Sequence, residues 1–352
     1  MEISIGNRKV GDGHPLFFIA EAGVNHNGDL ELGKKLIDIA VKAKADAVKF
    51  QTFKAEELNT RDAPKASYHI ETTGSDSKQT WYELLKSQEI SYEMHQQLIN
   101  YCNEKNIMFL STPYSKESID LLENFNLPAY KIASADINNL PFLEYVANKG
   151  KPIIISTGMS NMDEIKLARN IFTERGLLDY VFLQCTSNYP TSLEESNLGV
   201  INTLRKKLNC LVGYSDHTFG YINPIAATAL GACVFEKHFT LDKNLPGPDH
   251  RMSLDPAELK QTISFIRMTE QAIGSSEKVV LETELDNRDK LRKSIVTNMD
   301  IKKDQIIEGK MLGIKRPGNG IPPPEIENII GKKAAIDIPL GTVLTFEMIN
   351  VQ

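Results

Sequence analysis

Short apolar runs that end in a polar residue recur along this chain, and longer amphipathic stretches separate them. Eight of the runs read as buried strands: Leu16–Glu21, Ala47–Gln51, Ile107–Thr112, Ala129–Ser134, Pro152–Thr157, Tyr180–Cys185, Leu211–Ser215 and Ala232–His238. Asp29 opens a helix that carries Leu32, Leu36, Ile39, Ala40 and Ala43 on one face. Another helix opens Asp255-Pro256-Ala257-Glu258: an N-cap, a proline at the first helical position and an acid in the capping-box place. Its apolar stripe is Leu259, Ile263, Ile266 and Ile273, and Gly274 stops it. Eight strand–helix units predict an α/β protein built as a (β/α)8 barrel. No G-x-G-x-x-G follows the first strand, which argues against a doubly wound open sheet.

Three segments stand outside this alternation. Residues 1–14 hold Gly6-Asn7 and Gly11-Asp12-Gly13 among short alternating stretches, the pattern of a β-hairpin ahead of the barrel. The connection from Phe53 to Ile90 is long and offers one short helix, Thr80–Lys86, with the sole tryptophan, Trp81. Following the second strand, it belongs over the active-site face, where long loops are usually functional. Beyond the barrel (residues 1–275), residues 276–290 read as a polar linker, and residues 291–352 as a small β-rich domain. A unit that small is marginal alone and is expected to dock on something.

Side chains alternate along a strand, so residues two apart share a face. Applied to each strand, this puts Glu21, then Lys49 and Gln51, then Thr112, inside the barrel near its top. Ser134 and Asp136, Ser156, Ser187, Ser215 with His217, and Glu236 with His238 follow from the remaining strands. Deeper positions are apolar. A barrel that only needed filling would use branched apolar residues throughout, so the polar rim indicates a site. Lysine, hydroxyls and a carboxylate suit a phosphorylated anion. Lys49, inside V-K-F, needs either Glu21 as an ion-pair partner or an anionic ligand. Lys131 has the opposite parity from Ser134 and needs a bulge to join it. Each of His217 and His238 taken alone is more often a satisfied core histidine than a ligand, but as a pair ending adjacent strands they are candidate ligands of a divalent metal. Glu21 suits a loop-amide cap as well as catalysis, and Asp249-His250 after Pro246-Gly247-Pro248 suits turn chemistry.

Composition narrows this picture only a little. The 352 residues are 41% hydrophobic and 24% charged, with net charge −6, so nothing points to nucleic acid and an anionic substrate must be held by local positive charge. Cys102, Cys185, Cys210 and Cys233 form no C-x-x-C pair and read as reduced thiols of a cytoplasmic protein. The start lacks a signal-peptide core, and no apolar run approaches the roughly 18 residues of a membrane span.

Ten stretches in order along the chain resemble the bacterial sialic acid synthase family: I-A-E-A-G-V-N-H-N-G (19–28), A-V-K-F-Q-T-F (47–53), F-L-S-T-P (109–113), Y-K-I-A-S (130–134), I-I-S-T-G-M (154–159), N-Y-P-T (188–191), G-Y-S-D-H-T (213–218), E-K-H-F-T-L-D (236–242), P-G-P-D-H (246–250) and K-R-P-G-N-G (315–320). The resemblance implies a barrel followed by an antifreeze-like (SAF) domain. It implies condensation of phosphoenolpyruvate with an N-acetylated amino sugar to a nine-carbon keto acid by C–O cleavage. It also implies a divalent metal, manganese or magnesium, held by His217 and His238, and a domain-swapped homodimer. By position, Glu21 handles the proton of the added water. Lys49, Thr112, Lys131, Ser134, Ser156 and Ser187 resemble the phosphoenolpyruvate set. Gln51, Asp136, Tyr189 and Asp249 resemble the sugar set, and Arg316 reaches across the dimer to the N-acetyl group.

Departures are the aspartate at Asp136, one methylene shorter than the glutamate many members carry, and Gln184, where histidine is frequent. The loop 65–80 matches least and offers Asp76 and Ser77. N-acetylmannosamine is the first sugar on this reading, with a 2,4-diacetamido-trideoxyhexose (legionaminate type) as alternative; the pseudaminate type fits P-G-P-D-H and R-P-G-N-G poorly. A Schiff-base aldolase using Lys49 or Lys131 and a non-catalytic carbohydrate-binding protein are the competing readings.

Overall fold

The structure is a computed structural model that describes residues 1–75 and 77–350. The chain divides into two compact units, Met1–Gly274 and Ser275–Gln352.

In the first unit, β1 (Glu2–Ile5) and β2 (Arg8–Gly11) form an antiparallel hairpin. Eight parallel strands follow: β3 (Phe17–Gly23), β4 (Ala47–Thr52), β5 (Met108–Pro113), β6 (Tyr130–Ile132), β7 (Ile153–Ser156), β8 (Tyr180–Cys185), β9 (Leu211–Asp216) and β10 (Val234–His238). The ladder runs β5-β4-β3-β10-β9-β8-β7-β6. Strands β5 and β6 lie side by side without a ladder between them and complete the barrel. Outside are α1 (Leu30–Ala43), then α2 (Ala55–Leu58), α3 (Ser67–Thr73), α4 (Trp81–Ser87) and α5 (Tyr92–Glu104), all four after β4. Helices α6 (Lys116–Glu123), α7 (Leu140–Ala147), α8 (Met162–Glu174), α9 (Val200–Leu208), α10 (Ile222–Ala229) and α11 (Pro256–Ile273) complete the ring. No helix among the described residues is long and apolar enough to cross a membrane.

Local signals explain these elements. Asp29 caps α1 by accepting from the Leu32 amide, and Leu36, Ile37, Ala40 and Ala43 are buried. Asp255 and Glu258 form the capping box of α11. Leu259, Ile263 and Ile266 face the core, whereas Ile273, expected on that stripe, is 52% exposed. The helix outruns the core, and its residues from Gln271 onward are exposed. The excursion after β4 differs from expectation in holding two further short helices, α2 and α3. The expected Thr80–Lys86 helix is present as α4, with Thr80 and Glu83 as its capping box.

Apolar side chains pack in two layers. One lies between strands and helices and includes Phe18, Val48, Phe50, Ile132, Ile155, Phe182 and Phe235. The other fills the lower lumen with Phe17, Ile19, Ala47, Leu110, Ala129, Ile154, Val181, Leu183, Leu211 and Val234, and includes Ile3, Ile5 and Val10 of the hairpin. The hairpin therefore plugs the bottom of the barrel. On the outer face of β9 and β10, Lys237 Nζ lies 2.6 Å from Asp216 Oδ2, and both side chains are buried. Asp216 Oδ1 also accepts from the Thr218 amide (3.0 Å) and hydroxyl (2.8 Å), and Lys237 donates to the Thr218 carbonyl.

The second unit has its own core of Ile295, Ile301, Ile307, Met311, Ile321, Ile338 and Leu344, among others. Helix α12 (Leu285–Leu291) precedes β11 (Ser294–Thr297), which pairs antiparallel with β12 (Leu312–Lys315); β13 (Lys333–Ala334) pairs with β14 (Ile349–Asn350). The stretch expected as a linker carries a 3-10 turn, Glu282–Glu284, and most of α12.

Candidate active site

The alternation of each strand delivers charge to the upper lumen. Lys49 Nζ on β4 lies 2.9 Å from Glu21 Oε2 on β3 and 3.6 Å from Glu236 Oε2 on β10. It donates to Thr112 Oγ1 on β5 at 2.7 Å. Lys131 on β6 donates to Ser156 Oγ at 2.7 Å and to the Ile132 carbonyl at 3.0 Å, and lies 3.5 Å from Glu236 Oε1. Glu21, Lys49, Lys131 and Glu236 are each 1–5% exposed. Glu236 also accepts from Ser215 at 3.3 Å.

Burial pushes Glu21 up to about 7; Lys49 opposes this and Glu236 adds to it. For Glu236, burial is outweighed by Lys131, Lys49 and His217, which hold the carboxyl below its ordinary range. Burial would lower Lys49, but Glu21 and Glu236 reverse the sign, so it keeps its proton firmly. Lys131 is lowered, burial being the larger effect. Glu21 is thus raised toward neutrality, where a carboxyl can both take up and release a proton.

The parity of Lys131 needs no bulge. Tyr130 and Ile132 face the outer layer, Lys131 faces the lumen, and the strand ends there. Ser134 and Asp136, expected at the end of the strand, instead form a 3-10 turn beyond it. The turn carries Ser134 back to the site, where its Oγ accepts from the Gly158 amide at 3.0 Å. A Cβ at Gly158 would collide with the Ser187 hydroxyl and stand 2.9 Å from Ser134 Oγ. Ser134, Ser187 and the Gly158 backbone therefore share one close-set corner, the kind of approach that requires glycine.

The second cluster lies at the ends of β9 and β10. His217 and His238 have ring centroids 5.8 Å apart. His217 Nδ1 lies 2.8 Å from the Thr186 carbonyl, which fixes a proton on Nδ1 and leaves Nε2 as the available lone pair. Cys185 Sγ is 3.8 Å from the same Nδ1. Burial lowers His217, but Cys185 and the Thr186 carbonyl outweigh it and raise the group. His238 is held well below its ordinary range, first by burial and then by His217 and Lys49. Its Nδ1 has no hydrogen bond and lies 3.7 Å from Asp249 Oδ2. Burial pushes Asp249 up to about 6. A bulge between Glu21 and Gly23 bends β3 beside this cluster. Gly23 has φ +53°, and a Cβ there would meet Glu21 Oε1 at 3.3 Å and the His238 ring at 3.4 Å.

Two imidazoles at this separation, one fixed through Nδ1 and one with Nδ1 unpartnered, fit a single divalent ion. Among the described residues no group of three His, Cys, Asp or Glu is poised as a metal cluster. The protein would thus supply two ligands and leave the remaining positions to water or substrate.

The other expected residues fall into two sets. Gln51 donates to Glu21 Oε1 at 3.3 Å. Tyr189 packs its ring 4.1 Å from His217. Asp136 sits half-buried, pushed up to about 6 by burial, with Oδ2 unpartnered. Arg316 belongs to the second unit, where it is exposed and its Nε donates to the Leu291 carbonyl. Ser77 is exposed and pairs with Ser75 rather than with the site; Asp76 lies outside the described residues. Among the described residues, four buried polar atoms at the lumen end lack an aligned hydrogen bond: Glu21 Oε2 and Glu236 Oε2, both beside Lys49, Asp136 Oδ2 and His238 Nδ1. Such atoms mark a place built for a ligand. Glu236, facing both lysines, was visible on the inward face of its strand but was not singled out as a site residue. Cys185 ends β8 with the parity of Ser187 and reads from the sequence only as a reduced thiol, whereas Tyr68 and Tyr114 give no signal because their approach depends on how the excursion and the loop after β5 fold.

Residues 36–278 match the model of the NeuB family and residues 292–350 that of the SAF domain. The chain is 44% identical to the N,N'-diacetyllegionaminic acid synthase of Legionella pneumophila, over 98% of this chain and 99% of that one. It is 46% identical to the enzyme of the same name from Campylobacter jejuni, over 90% and 95%. A crystal structure of the N-acetylneuraminic acid synthetase of Leptospira borgpetersenii superposes with TM-score 0.74 at 34% identity, covering 82% of this chain and 95% of that one. The chain belongs to the NeuB family of sialic acid synthases.

Proposed function

We propose that the barrel condenses phosphoenolpyruvate with the open-chain aldehyde of 2,4-diacetamido-2,4,6-trideoxymannose, giving a nine-carbon 2-keto acid and inorganic phosphate. One observation carries the chemistry: two buried lysines, Lys49 and Lys131, share the lumen with Thr112, Ser134, Ser156, Ser187 and two carboxylates. Glu21 and Glu236 face these ammonium groups, and an anion with more than one charge can draw on both lysines once Glu21 takes up a proton. Phosphoenolpyruvate supplies a phosphate and a carboxylate. The legionaminate sugar takes precedence over N-acetylmannosamine because the two similar legionaminic acid synthases are 44% and 46% identical to this chain. The likeness to the N-acetylneuraminic acid synthetase structure, at 34%, supports N-acetylmannosamine as the second reading.

Lys49 and Lys131 bind the anion and hold its C3 toward the aldehyde. C3 forms the new bond to the aldehyde carbon while the carbonyl π pair moves to its oxygen, which takes up a proton to become a hydroxyl, and C2 becomes electron-poor. Water adds at C2, and Glu21 takes its proton, a role suited to a carboxyl poised near 7. The C2–O bond to phosphate then breaks and the keto group forms. His217 and His238 would hold a divalent metal, manganese or magnesium, which supplies Lewis acidity toward the aldehyde oxygen when bound. Gln51, Asp136, Tyr189 and Asp249 orient the sugar. Arg316 of a second copy reaches the N-acetyl group in a domain-swapped homodimer, and the protein works in the cytoplasm.

The test is phosphate release with phosphoenolpyruvate and each amino sugar in turn, with product mass measured. We expect turnover with the diacetamido sugar at a kcat/KM at least about tenfold above that with N-acetylmannosamine, a difference of about 1.4 kcal/mol. The reverse preference would move the assignment to the second reading; release with neither sugar would overturn both.

A further inference from the structure

Among the described residues of the excursion between β4 and α5, Tyr68 reaches the site. Tyr68, in the first turn of α3, stacks on Tyr189 with centroids 4.8 Å apart and planes at 31°. Tyr189 in turn packs 4.1 Å from His217 and edge-on to His238 at 6.3 Å. Behind Tyr68, His69 lies 4.0 Å away and packs against Trp81 of α4 at 5.3 Å. Trp81, His69, Tyr68 and Tyr189 thus form a continuous run of rings from the excursion to the two histidines. His69 is buried and anchors the excursion, while its neighbours Ser67 and Ile70 are exposed. Tyr68 is half-buried, its ring lying between those of His69 and Tyr189.

Its hydroxyl makes no hydrogen bond to any described residue, although burial and the nearby Asp249 carboxylate raise the phenol above its ordinary range. Tyr114, just beyond β5, repeats the pattern. It packs edge-on against Phe53 at 6.0 Å, its hydroxyl has no hydrogen bond to a described residue, and its charged neighbours are Asp136, Glu21 and Asp249. Both tyrosines are half-buried, and two such rings with hydroxyls left open beside the carboxylates of one mouth are set for a polar ligand with apolar faces.

We propose that Tyr68 contacts the amino sugar directly, its ring packing on an acetamido methyl and its hydroxyl hydrogen-bonding a polar substituent, so that the excursion contributes to sugar selection. This rests on the condensation proposed above. It also assigns to the excursion a task that Ser77, exposed and paired with Ser75, does not perform.

The experiment measures steady-state kinetics of full-length Tyr68→Phe and Tyr68→Ala against both amino sugars and phosphoenolpyruvate. Tyr68→Phe, which keeps the ring, is expected to raise the sugar KM about tenfold, as befits one uncharged hydrogen bond. Tyr68→Ala should raise it further. The KM for phosphoenolpyruvate should stay within about twofold in both. Unchanged sugar KM in both variants of an active enzyme overturns the Tyr68 assignment and leaves the condensation standing. An equal rise in both KM values also overturns it, since that is the signature of a disturbed barrel. Should the alanine variant fail to fold, Tyr68→Phe alone decides. Wild-type protein that releases no phosphate with either sugar overturns the underlying reading itself.

Discussion

The barrel wall carries buried lysine–carboxylate groups on both of its faces, and the two differ in how complete they are. On the outer face, Lys237 and Asp216 satisfy each other and the Thr218 backbone and hydroxyl, and neither side chain has an orphaned atom. On the inner face, Glu21 and Glu236 each keep one oxygen without an aligned hydrogen bond, although Lys49 stands near both. The same residue types on the same strands thus serve two ends. A closed network fixes the adjoining ends of β9 and β10, where the histidines sit. An open one waits for a ligand, because a buried charge left partly unpaired is costly unless something else supplies the missing contacts.

The largest effect should come from opening the closed network. Lys237→Met leaves Asp216 buried without its counter-charge, and we expect a loss of about 3–5 kcal/mol in unfolding free energy by denaturant titration. The double variant Lys237→Met/Asp216→Leu should recover most of it; a double variant as unstable as the single one would show that the outer pair is not a matched unit. The inner network should respond in the opposite sense. Lys49→Met is expected to lower kcat/KM by about 10²–10³-fold, while costing less stability than Lys237→Met, because Glu21 can take up a proton. Stability losses of equal size at the two lysines would erase the distinction between the faces.

The smallest effect concerns pH. Glu21 sits at about 7 in the folded protein against an ordinary 4.5. A raised carboxyl favours folding below its unfolded pKa, and that contribution is lost as pH rises through the folded one. Wild-type stability should therefore fall between about pH 5 and pH 8 relative to Glu21→Gln, which cannot ionise. A melting-temperature difference on the order of 2–4 °C is expected, and parallel pH profiles would refute the assignment.

Much of the barrel was legible because period and parity are local properties. All eight strands lie where apolar runs end in polar residues, and the inward set Glu21, Lys49, Thr112, Ser156 and His238 follows from alternation alone. Parity failed where a strand stopped early. Extending the fourth barrel strand to Ser134 made Lys131 look misplaced, whereas the 3-10 turn after Ile132 lets both residues reach one pocket. The excursion was read as nearly structureless because α2 and α3 are four and seven residues long, too short for a periodic signal to emerge. Tyr68 was invisible for a different reason: its neighbour Tyr189 is far away in sequence, and no local pattern encodes that meeting.

The hairpin plug has a consequence for traffic. With Ile3, Ile5 and Val10 packed into the base of the lumen, the barrel is a vessel with a single opening. Glu236 pairs with Ile19, one inward position below His238, which pairs with Glu21. Lys49 also pairs with Glu21, so it stands level with His238, and of these charged groups Glu236 is the one set a step deeper. For the condensation proposed above, both reactants and both products must therefore pass through the one mouth. An excess of sugar over phosphoenolpyruvate should then slow the enzyme by standing in the doorway.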